Sequence, residues 1–129
     1  MRFCIFIESD VRGGLNTFLK NFVSNNKTDQ IEIICNRKFF IDKSIKKKIK
    51  KFTYEFDQDK NKILKYLFFF KKIIKFNQVF SRVKSNKLLV VNGGHPGSIN
   101  AIFSILSWYL IKKNKSVIYN FHNLASKPN

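Results

Sequence analysis

Cysteine is scarce in this chain, and no apolar segment is long. Two cysteines, Cys4 and Cys35, are too few for the disulfide framework of a small secreted domain and do not make a zinc site. No apolar run approaches the roughly 18 residues that a membrane-spanning helix needs, and the run Phe3–Ile7 is too short for a secretory signal. Both cysteines lie in apolar strand patterns. We therefore expect buried free thiols and a reducing, cytoplasmic location.

Acidic residues are few as well, with eight Asp and Glu against 25 Lys and Arg, so the formal net charge is +17. Residues 1–36 carry four basic and four acidic side chains, whereas residues 37–87 carry 17 basic and four acidic ones. Residues 88–129 add four basic and no acidic side chains. A field of this sign attracts polyanions, such as nucleic acid, anionic membrane or phosphorylated substrates. The strong positive charge is therefore expected to come from the middle of the chain.

Several catalytic signatures are missing from the sequence. The chain has neither the three spaced glycines that bind a dinucleotide nor the lysine loop that binds a nucleoside triphosphate. A nucleophile elbow, a metal-ligand cluster and paired carboxylates are missing too. Neither a nicotinamide cofactor nor a metal ion is therefore expected.

Strand and helix patterns alternate along the 129 residues, a length that suits one domain. Apolar runs predict strands, the third of them at an exposed edge, at residues 2–7, 31–35, 52–56, 88–91 and 116–121. Helical spacing predicts helices at residues 15–24, 60–83 and 99–111, and the second of these is either continuous or broken near Asn77. A lysine-rich short helix or turn is predicted at residues 44–51. The alternation predicts an α/β fold with a Rossmann-like, doubly wound parallel sheet.

Two glycine turns follow predicted strands and precede predicted helices. Gly13-Gly14 lets the backbone approach a ligand closely, and the N–H groups at the start of the next helix favour an anionic group such as phosphate. Asn16 is placed to cap that helix or to touch the ligand. In the second turn, Gly93-Gly94-His95-Pro96-Gly97-Ser98, proline and glycine shape the backbone and the serine is a candidate cap. Each turn is a substrate-binding loop or a plain structural turn, and both interpretations stay open.

His122 directly follows the last predicted strand, and Asn123 comes next. Because the carboxyl ends of parallel strands meet at one edge of the sheet, His122 is expected near both glycine turns. An imidazole there can donate to a sugar hydroxyl or a phosphate, or hold a developing charge. No Asp or Glu lies nearby in the sequence to orient it. The residues alone leave a functional and a structural role equally open.

The long predicted helix has apolar residues on two faces. A helical wheel over residues 60–77 places core-facing side chains at Ile63, Tyr66, Leu67, Phe70, Ile73 and Ile74. The opposite face combines lysine with phenylalanine, at Lys62, Lys65, Phe68, Phe69, Lys72 and Phe76. That combination is typical of an interfacial helix whose rings enter the headgroup region while its lysines meet anionic lipid. Packing of these rings on a neighbouring element or a missing domain is the alternative, and nucleic-acid binding is a third, weaker one.

Four segments in a fixed order carry a family resemblance. They are residues 2–7, the turn Gly13-Gly14 that opens a helix, Val90-Val91-Asn92-Gly93-Gly94, and Val117-Ile118-Tyr119-Asn120-Phe121-His122-Asn123. In this order they resemble the amino-terminal domain of family 4 glycosyltransferases of the GT-B fold. The resemblance covers both ends of the chain well and the middle only by pattern. It implies a two-domain, metal-independent, retaining hexosyltransferase that moves sugar from a nucleotide-sugar donor to an acceptor.

The resemblance also assigns roles to residues of this chain. Gly13 and Gly14 match the family's loop that faces the donor phosphates and the acceptor, and His122 matches its histidine beside the donor sugar. His122 is therefore the catalytic candidate, and the substrate-binding candidates are Gly13, Gly14, Asn16, Gly93, Gly94 and Asn123. In the family the amino-terminal domain mostly receives the acceptor, and two glutamates of the carboxy-terminal domain recognise the nucleotide. The chain matches only an incomplete amino-terminal half, so it is expected to be inactive alone.

Two functions from different classes are therefore expected. The first is the acceptor-side domain of a glycosyltransferase in cell-surface polysaccharide or glycolipid assembly, with a sugar or lipid-linked acceptor and a carboxy-terminal domain or separate subunit as partners. It would lie in the cytoplasm, with peripheral attachment to the inner membrane face as an option. The alternative is a non-catalytic basic module that binds anionic membrane or nucleic acid. A partner polypeptide with the paired glutamates favours the enzyme, whereas salt-sensitive polyanion binding without one favours the module.

Overall fold

A five-stranded parallel sheet forms the centre of the molecule. The computed structural model describes residues 2–8, 14–26, 31–56, 65–92, 99–113 and 116–121. The strands are β1 (Phe3–Ile7), β2 (Ile31–Asn36), β3 (Ile49–Tyr54), β4 (Lys87–Asn92) and β5 (Ser116–Phe121). They lie in the order β3-β2-β1-β4-β5, and all neighbouring pairs are parallel. The α/β fold is thereby confirmed, and the sheet is consistent with a Rossmann-like arrangement.

Helices cover both faces of this sheet. Those among the described residues are α1 (Gly14–Asn25), α2 (Lys65–Ser81) and α3 (Ile99–Ile111). Because side chains alternate along a strand, β1 contributes Ile5 and Ile7 to one core and Cys4 and Phe6 to the other. The first core contains the buried residues of α1, which are Leu15, Leu19 and Val23. The second core contains buried residues of α2 and α3, so the sheet is wound on both faces.

Most predicted boundaries agree with the structure, and β3 is the exception. α3 and β5 begin and end where the sequence predicts, and α2 continues through Asn77 without a break. β3 runs from Ile49 to Tyr54 and not over residues 52–56. It directly follows a 3-10 turn at Lys46–Lys48, so the helix or turn predicted at 44–51 ends before Ile49. Its lysines are accepted because β3 is an edge strand: Nζ of Lys51 donates to the carbonyl oxygen of Phe39 at 2.9 Å.

The buried side of α2 differs from the one that the helical wheel predicts, although Ile73 packs against the core and Phe69 is exposed as predicted. Phe76 is fully buried and Lys72 is 8% exposed, although the sequence pattern predicts both on the outer face. Phe70 is 63% and Ile74 is 56% exposed, where the pattern predicts core. Rings within 6.3 Å of Phe76, centroid to centroid, belong to Phe6, Tyr54, Phe56 and Phe80. The predicted orientation was wrong because both faces of the helix are apolar, so amphipathicity could not distinguish them.

Lys72 is buried because its ammonium has both an oxygen acceptor and aromatic rings. Nζ donates to Oδ1 of Asn100 at 2.9 Å. It also lies 4.8–5.7 Å from three ring centroids, those of Phe56, Phe68 and Phe103. Contacts between a cation and ring faces offset part of the lost hydration. Lys72 is therefore a component of the interior and does not face a membrane.

The other residues predicted to face a membrane have different outcomes. Phe69 is 44% exposed, whereas Phe68 is half-buried beside Lys72. Lys62 lies outside the described residues, and for Lys65 only the backbone is described. Among the described helices, none combines the length and the apolarity that crossing a bilayer requires. Of the described side chains in this set, Phe69 alone is exposed, so the set does not form one membrane-facing surface as predicted.

Both cysteines are buried and free, as the sequence predicts. Cys4 belongs to the core under α2 and α3, and Cys35 belongs to the core under α1, so the sheet separates them. Burial raises the pKa of the Cys4 thiol well above its ordinary value and raises the pKa of Cys35 to about 11. Both thiols are therefore protonated at neutral pH and are not nucleophiles.

One carboxylate is built into the interior beside the sheet. Glu32 in β2 is 4% exposed and accepts hydrogen bonds from the backbone N–H groups of Lys84 and Ser85, at 3.0 and 2.8 Å. The hydroxyl of Ser85 donates a further one at 2.6 Å. These donors belong to the connection between α2 and β4. Glu32 thus fixes that connection against a strand more than 50 residues earlier in the chain.

Candidate ligand site at the carboxyl edge of the sheet

The carboxyl ends of β1 and β4 meet at the middle of the sheet, where the chain diverges onto both faces. The two strands are neighbours, with Ile7 beside Val91 in the register. After β1 the chain forms α1 on one face, and after β4 it forms α3 on the other. Such a divergence is a topological switch point, and it leaves a crevice in which open α/β sheets bind ligands. The candidate site thus follows from the strand order.

Within the described part of the chain, the first turn of α1 has open space and an unsatisfied acceptor. Gly14 is exposed, and a Cβ added to it would meet none of the described atoms within 4 Å. Asn16 is half-buried, and its buried Oδ1 has no hydrogen-bond partner within the described part of the chain. Asn16 lies inside the helix and not at its N-cap position. Asn16 is therefore not the cap of α1, and its contact with a ligand stays a prediction.

The other predicted site residues lie outside the described residues, namely Gly13, Gly93, Gly94, His122 and Asn123. β5 ends at Phe121, paired in register with Asn92 of β4, so it ends at the same edge of the sheet as β1 and β4. The ends of the three strands therefore converge as predicted, and the roles of the five residues stay predictions. Among the described residues, no group of three or more His, Cys, Asp or Glu side chains is placed to hold a metal ion.

A polar cluster that the sequence did not single out lies at this edge. Glu8 directly follows β1, and Asn100 lies in the first turn of α3. The side chain of Asn100 donates a hydrogen bond to the carboxyl group of Glu8, and its Oδ1 accepts one from Nζ of Lys72. One amide therefore bridges an ammonium and a carboxyl group that come from different elements of the fold.

Burial dominates the acid–base properties of this cluster. It raises the pKa of Glu8, and the hydrogen bond from Asn100 and the charge of Lys72 oppose that shift without cancelling it. It also lowers the pKa of Lys72, against the influence of the Glu8 charge. Each group is therefore moved toward its uncharged form. Glu8 can exchange a proton closer to neutral pH than an exposed carboxyl group can, which is a property of functional carboxyl groups.

One oxygen of the Glu8 carboxyl group lacks a donor among the described residues. Its Oε2 is buried and has no hydrogen-bond partner in the part of the chain that the structure describes, and the same holds for Oδ1 of Asn16. Buried acceptors are almost always paired in folded proteins, with protein groups, water or a ligand. An ionised carboxylate and an amide oxygen both accept hydrogen bonds, so the matching ligand groups are donors such as hydroxyls.

The sequence contains a signal for only one member of this cluster. Glu8 is a carboxyl group directly after a predicted strand in a strongly basic chain. The helical wheel places Lys72 on the outer face of α2, so the sequence gives no reason to expect its contact with Asn100. That contact joins side chains 28 positions apart, on two helices whose relative rotation the sequence pattern does not determine.

The pH dependence of folding tests the environment of Glu8. Its pKa is raised in the folded state above the ordinary value of 4.5, so the folded state holds this proton more tightly than the unfolded state does. The stabilising contribution is therefore complete below that ordinary value and is lost as the pH rises through the raised pKa. Glutamine does not titrate, so we expect Glu8→Gln to lack this pH-dependent loss of stability. The melting temperature of the variant should therefore fall less than that of the parent protein between about pH 4.5 and pH 7.

The matched control for this experiment is Glu55→Gln, because Glu55 is exposed and pairs only weakly with Arg37 at 3.4 Å. That variant should keep the pH profile of the parent protein in thermal melts followed by circular dichroism. Parallel profiles for the parent and Glu8→Gln would contradict a buried, proton-holding Glu8.

Comparison with known proteins gives no relative of this chain. No protein-family model matches it, no curated protein matches it, and no solved structure matches it. The fold and the geometry of the carboxyl edge are therefore the observations from which a function is argued.

Proposed function

We propose that the chain is the acceptor-side domain of a retaining, nucleotide-sugar-dependent glycosyltransferase of the GT-B fold. The observation that carries the proposal is the strand order β3-β2-β1-β4-β5, which puts a switch point between β1 and β4. Ligands of open α/β sheets bind at such a point. The segments that carry the family resemblance lie in β1, β4 and β5 or in the residues that come after them, and the carboxyl ends of these strands share this edge.

The polar groups at this edge suit a hydroxyl-rich acceptor. Oε2 of Glu8 and Oδ1 of Asn16 need hydrogen-bond donors, and the hydroxyl groups of a sugar are donors. Glu8, whose pKa is raised by burial, is also suited to accept the proton of the attacking acceptor hydroxyl. Asn100 and Lys72 act through Glu8 and are positioning residues.

The donor side of the proposal rests on the resemblance. The phosphates of the nucleotide-sugar would lie at Gly13-Gly14 and at the N–H groups that begin α1. His122 would lie beside the donor sugar as the catalytic residue, and Gly93, Gly94 and Asn123 would line the same crevice. The paired glutamates that recognise the nucleotide in the family are not among the 129 residues. The nucleotide would therefore be bound by a second domain or subunit.

A non-catalytic basic module is the second candidate, and the net charge of +17 is the observation that favours it. Such a module needs positive charge on its surface but no crevice in the sheet. Two buried acceptor oxygens without donors among the described residues are unfavourable in a surface whose only task is to bind polyanions. The carboxyl edge therefore favours the enzyme.

Ligand titrations followed by nuclear magnetic resonance distinguish the two functions. An octyl hexoside serves as the acceptor probe and a short RNA as the polyanion probe. For the acceptor-side domain we expect the hexoside to shift the backbone amide signals of Glu8, Gly14, Asn16 and Asn100. We expect Asn16→Ala to weaken hexoside binding about fivefold, because it removes one hydrogen bond of about 1 kcal/mol.

The matched control is Asn25→Ala, at the exposed carboxyl end of the same helix, which should leave hexoside binding unchanged. Hexoside binding without shifts at the carboxyl edge would contradict the proposed site. Shifts that only RNA produces, centred on Lys46–Lys48, would favour the basic module and reject the enzyme.

A further inference from the structure

The outer side of α3 is entirely apolar. The helix contains no charged residue, and every exposed residue in it is Ile, Leu or Tyr, with exposed fractions of 37–67%. These residues are Ile99, Ile102, Leu106, Tyr109, Leu110 and Ile111. Soluble proteins rarely expose a contiguous apolar patch on this scale unless it meets another surface. The outer side of α3 is therefore a candidate interaction surface.

The neighbouring helix extends this surface. α2 packs beside α3 on the same face of the sheet, with the ring of Phe69 against that of Phe103 at 4.7 Å between centroids. On its outer side α2 exposes Phe70 and Ile74, and Lys71 and Lys75 are exposed next to them. The exposed residues of α3 together with these two apolar residues of α2 are called the α2–α3 face below.

The two helices that form this face carry charge of a single sign. The segment 60–129, which contains both, has 13 Lys and Arg and no Asp or Glu. Among the described residues, the one ion pair joins Arg37 to Glu55, on other elements of the fold, so Lys71 and Lys75 are not neutralised by a carboxylate there. An occupant of the α2–α3 face must therefore accept apolar side chains and bring negative charge.

We propose that the α2–α3 face docks on the surface of an anionic lipid bilayer. Apolar side chains at the boundary between headgroups and acyl chains, with lysines at the headgroups, form the arrangement by which peripheral proteins bind such membranes. A second copy of this chain would bring the same positive charge to the contact. Nucleic acid would supply negative charge but no aliphatic surface for the Ile and Leu side chains of this face. The inference does not depend on the glycosyltransferase proposal.

Sedimentation with lipid vesicles tests the docking. The chain is mixed with vesicles of phosphatidylglycerol and phosphatidylcholine in equal parts, and with vesicles of phosphatidylcholine alone. We expect binding to the first and at least about tenfold weaker binding to the second, since each lysine near anionic lipid contributes about fivefold. Lys71→Gln with Lys75→Gln should lower the affinity for anionic vesicles by about 25-fold. High salt should weaken the contribution of the same lysines to the binding of the parent protein.

Two leucines test the apolar part. Leu106→Ser with Leu110→Ser should lower the affinity by about 100-fold at any salt concentration, because each leucine side chain removed from water contributes roughly tenfold. The control is Ile118→Ser, because Ile118 is similarly exposed. Its neighbours in β5, Val117 and Tyr119, pack toward α2 and α3. Because side chains alternate along a strand, Ile118 lies on the other face of the sheet. Its vesicle binding should equal that of the parent protein. All substituted side chains are exposed, and thermal melts confirm that each variant is folded.

Two results would overturn the inference. Equal binding to anionic and neutral vesicles would contradict an electrostatic contribution to docking. Unchanged binding of the leucine variant would show that the α2–α3 face is not the docking surface. Absent vesicle binding, combined with a dimer in light scattering that the leucine variant abolishes, would show that the α2–α3 face is a contact between copies of the chain.

Discussion

Phe76→Ala is expected to lower the free energy of unfolding by about 3–5 kcal/mol, because it opens a cavity in a core built from aromatic rings. The ring of Phe76 is fully buried, and it packs edge-on against Phe6 and Tyr54 with centroids 5.5 and 5.1 Å away. Phe6 and Tyr54 come from β1 and β3, so the cavity would weaken the contact of α2 with two strands. Chemical denaturation followed by circular dichroism measures the change.

The control for this change is Phe70→Ala on the same helix. Phe70 is mostly exposed, so its removal should alter stability by no more than about 0.5 kcal/mol. The helical wheel predicts the reverse, with Phe70 in the core and Phe76 outside. If Phe70→Ala were the damaging substitution, the orientation of α2 described above would be wrong.

Glu32→Ala is expected to lower the free energy of unfolding by about 3–5 kcal/mol, because it leaves several buried donors without an acceptor. The backbone N–H groups of Lys84 and Ser85 and the hydroxyl of Ser85 all donate to this carboxylate. Burial prevents water from replacing it at low cost. The connection between α2 and β4 should then be the first part of the chain to lose protection in hydrogen exchange.

Two variants show whether the buried hydrogen bonds cause this effect. Glu32→Gln keeps one acceptor oxygen and should be clearly less damaging than Glu32→Ala. Glu55→Ala removes an exposed carboxylate and should change stability by at most about 1 kcal/mol. Equal losses for Glu32→Ala and Glu55→Ala would mean that the bonds of Glu32 add nothing to the fold.

The centre of the sheet could be predicted from the sequence because β1, β2 and β4 are buried on both faces. Continuous apolar runs between polar turns mark such strands, so the bounds of all three are predicted to within one residue. The alternation of strands with helices then leads to parallel pairing and helices on both faces. The predicted start of β3 is too late because Lys50 and Lys51 interrupt the apolar pattern, and an edge strand tolerates such charged residues.

The rotation of α2 and the cluster at Glu8 could not be predicted in the same way. A helix with phenylalanine and isoleucine on both sides gives no single apolar face, and tertiary contacts decide which side is buried. Lys72 illustrates this, since only the folded chain brings three rings and Asn100 around its ammonium. Charge alone predicts an exposed lysine, and long-range packing overrides that prediction.

The central position of β1 also affects how the chain can fold during synthesis. β1 is made first, and one of its edges pairs with β4, where Ile5 lies beside Leu89. Leu89 is made 84 residues after Ile5, which at typical ribosomal speeds takes about 4–17 s, and during this time that apolar edge has no partner strand. The segment 37–87, with 17 basic and four acidic side chains, is translated within this interval. Mutual repulsion between nascent chains carrying that segment would disfavour their association until β4 completes the sheet.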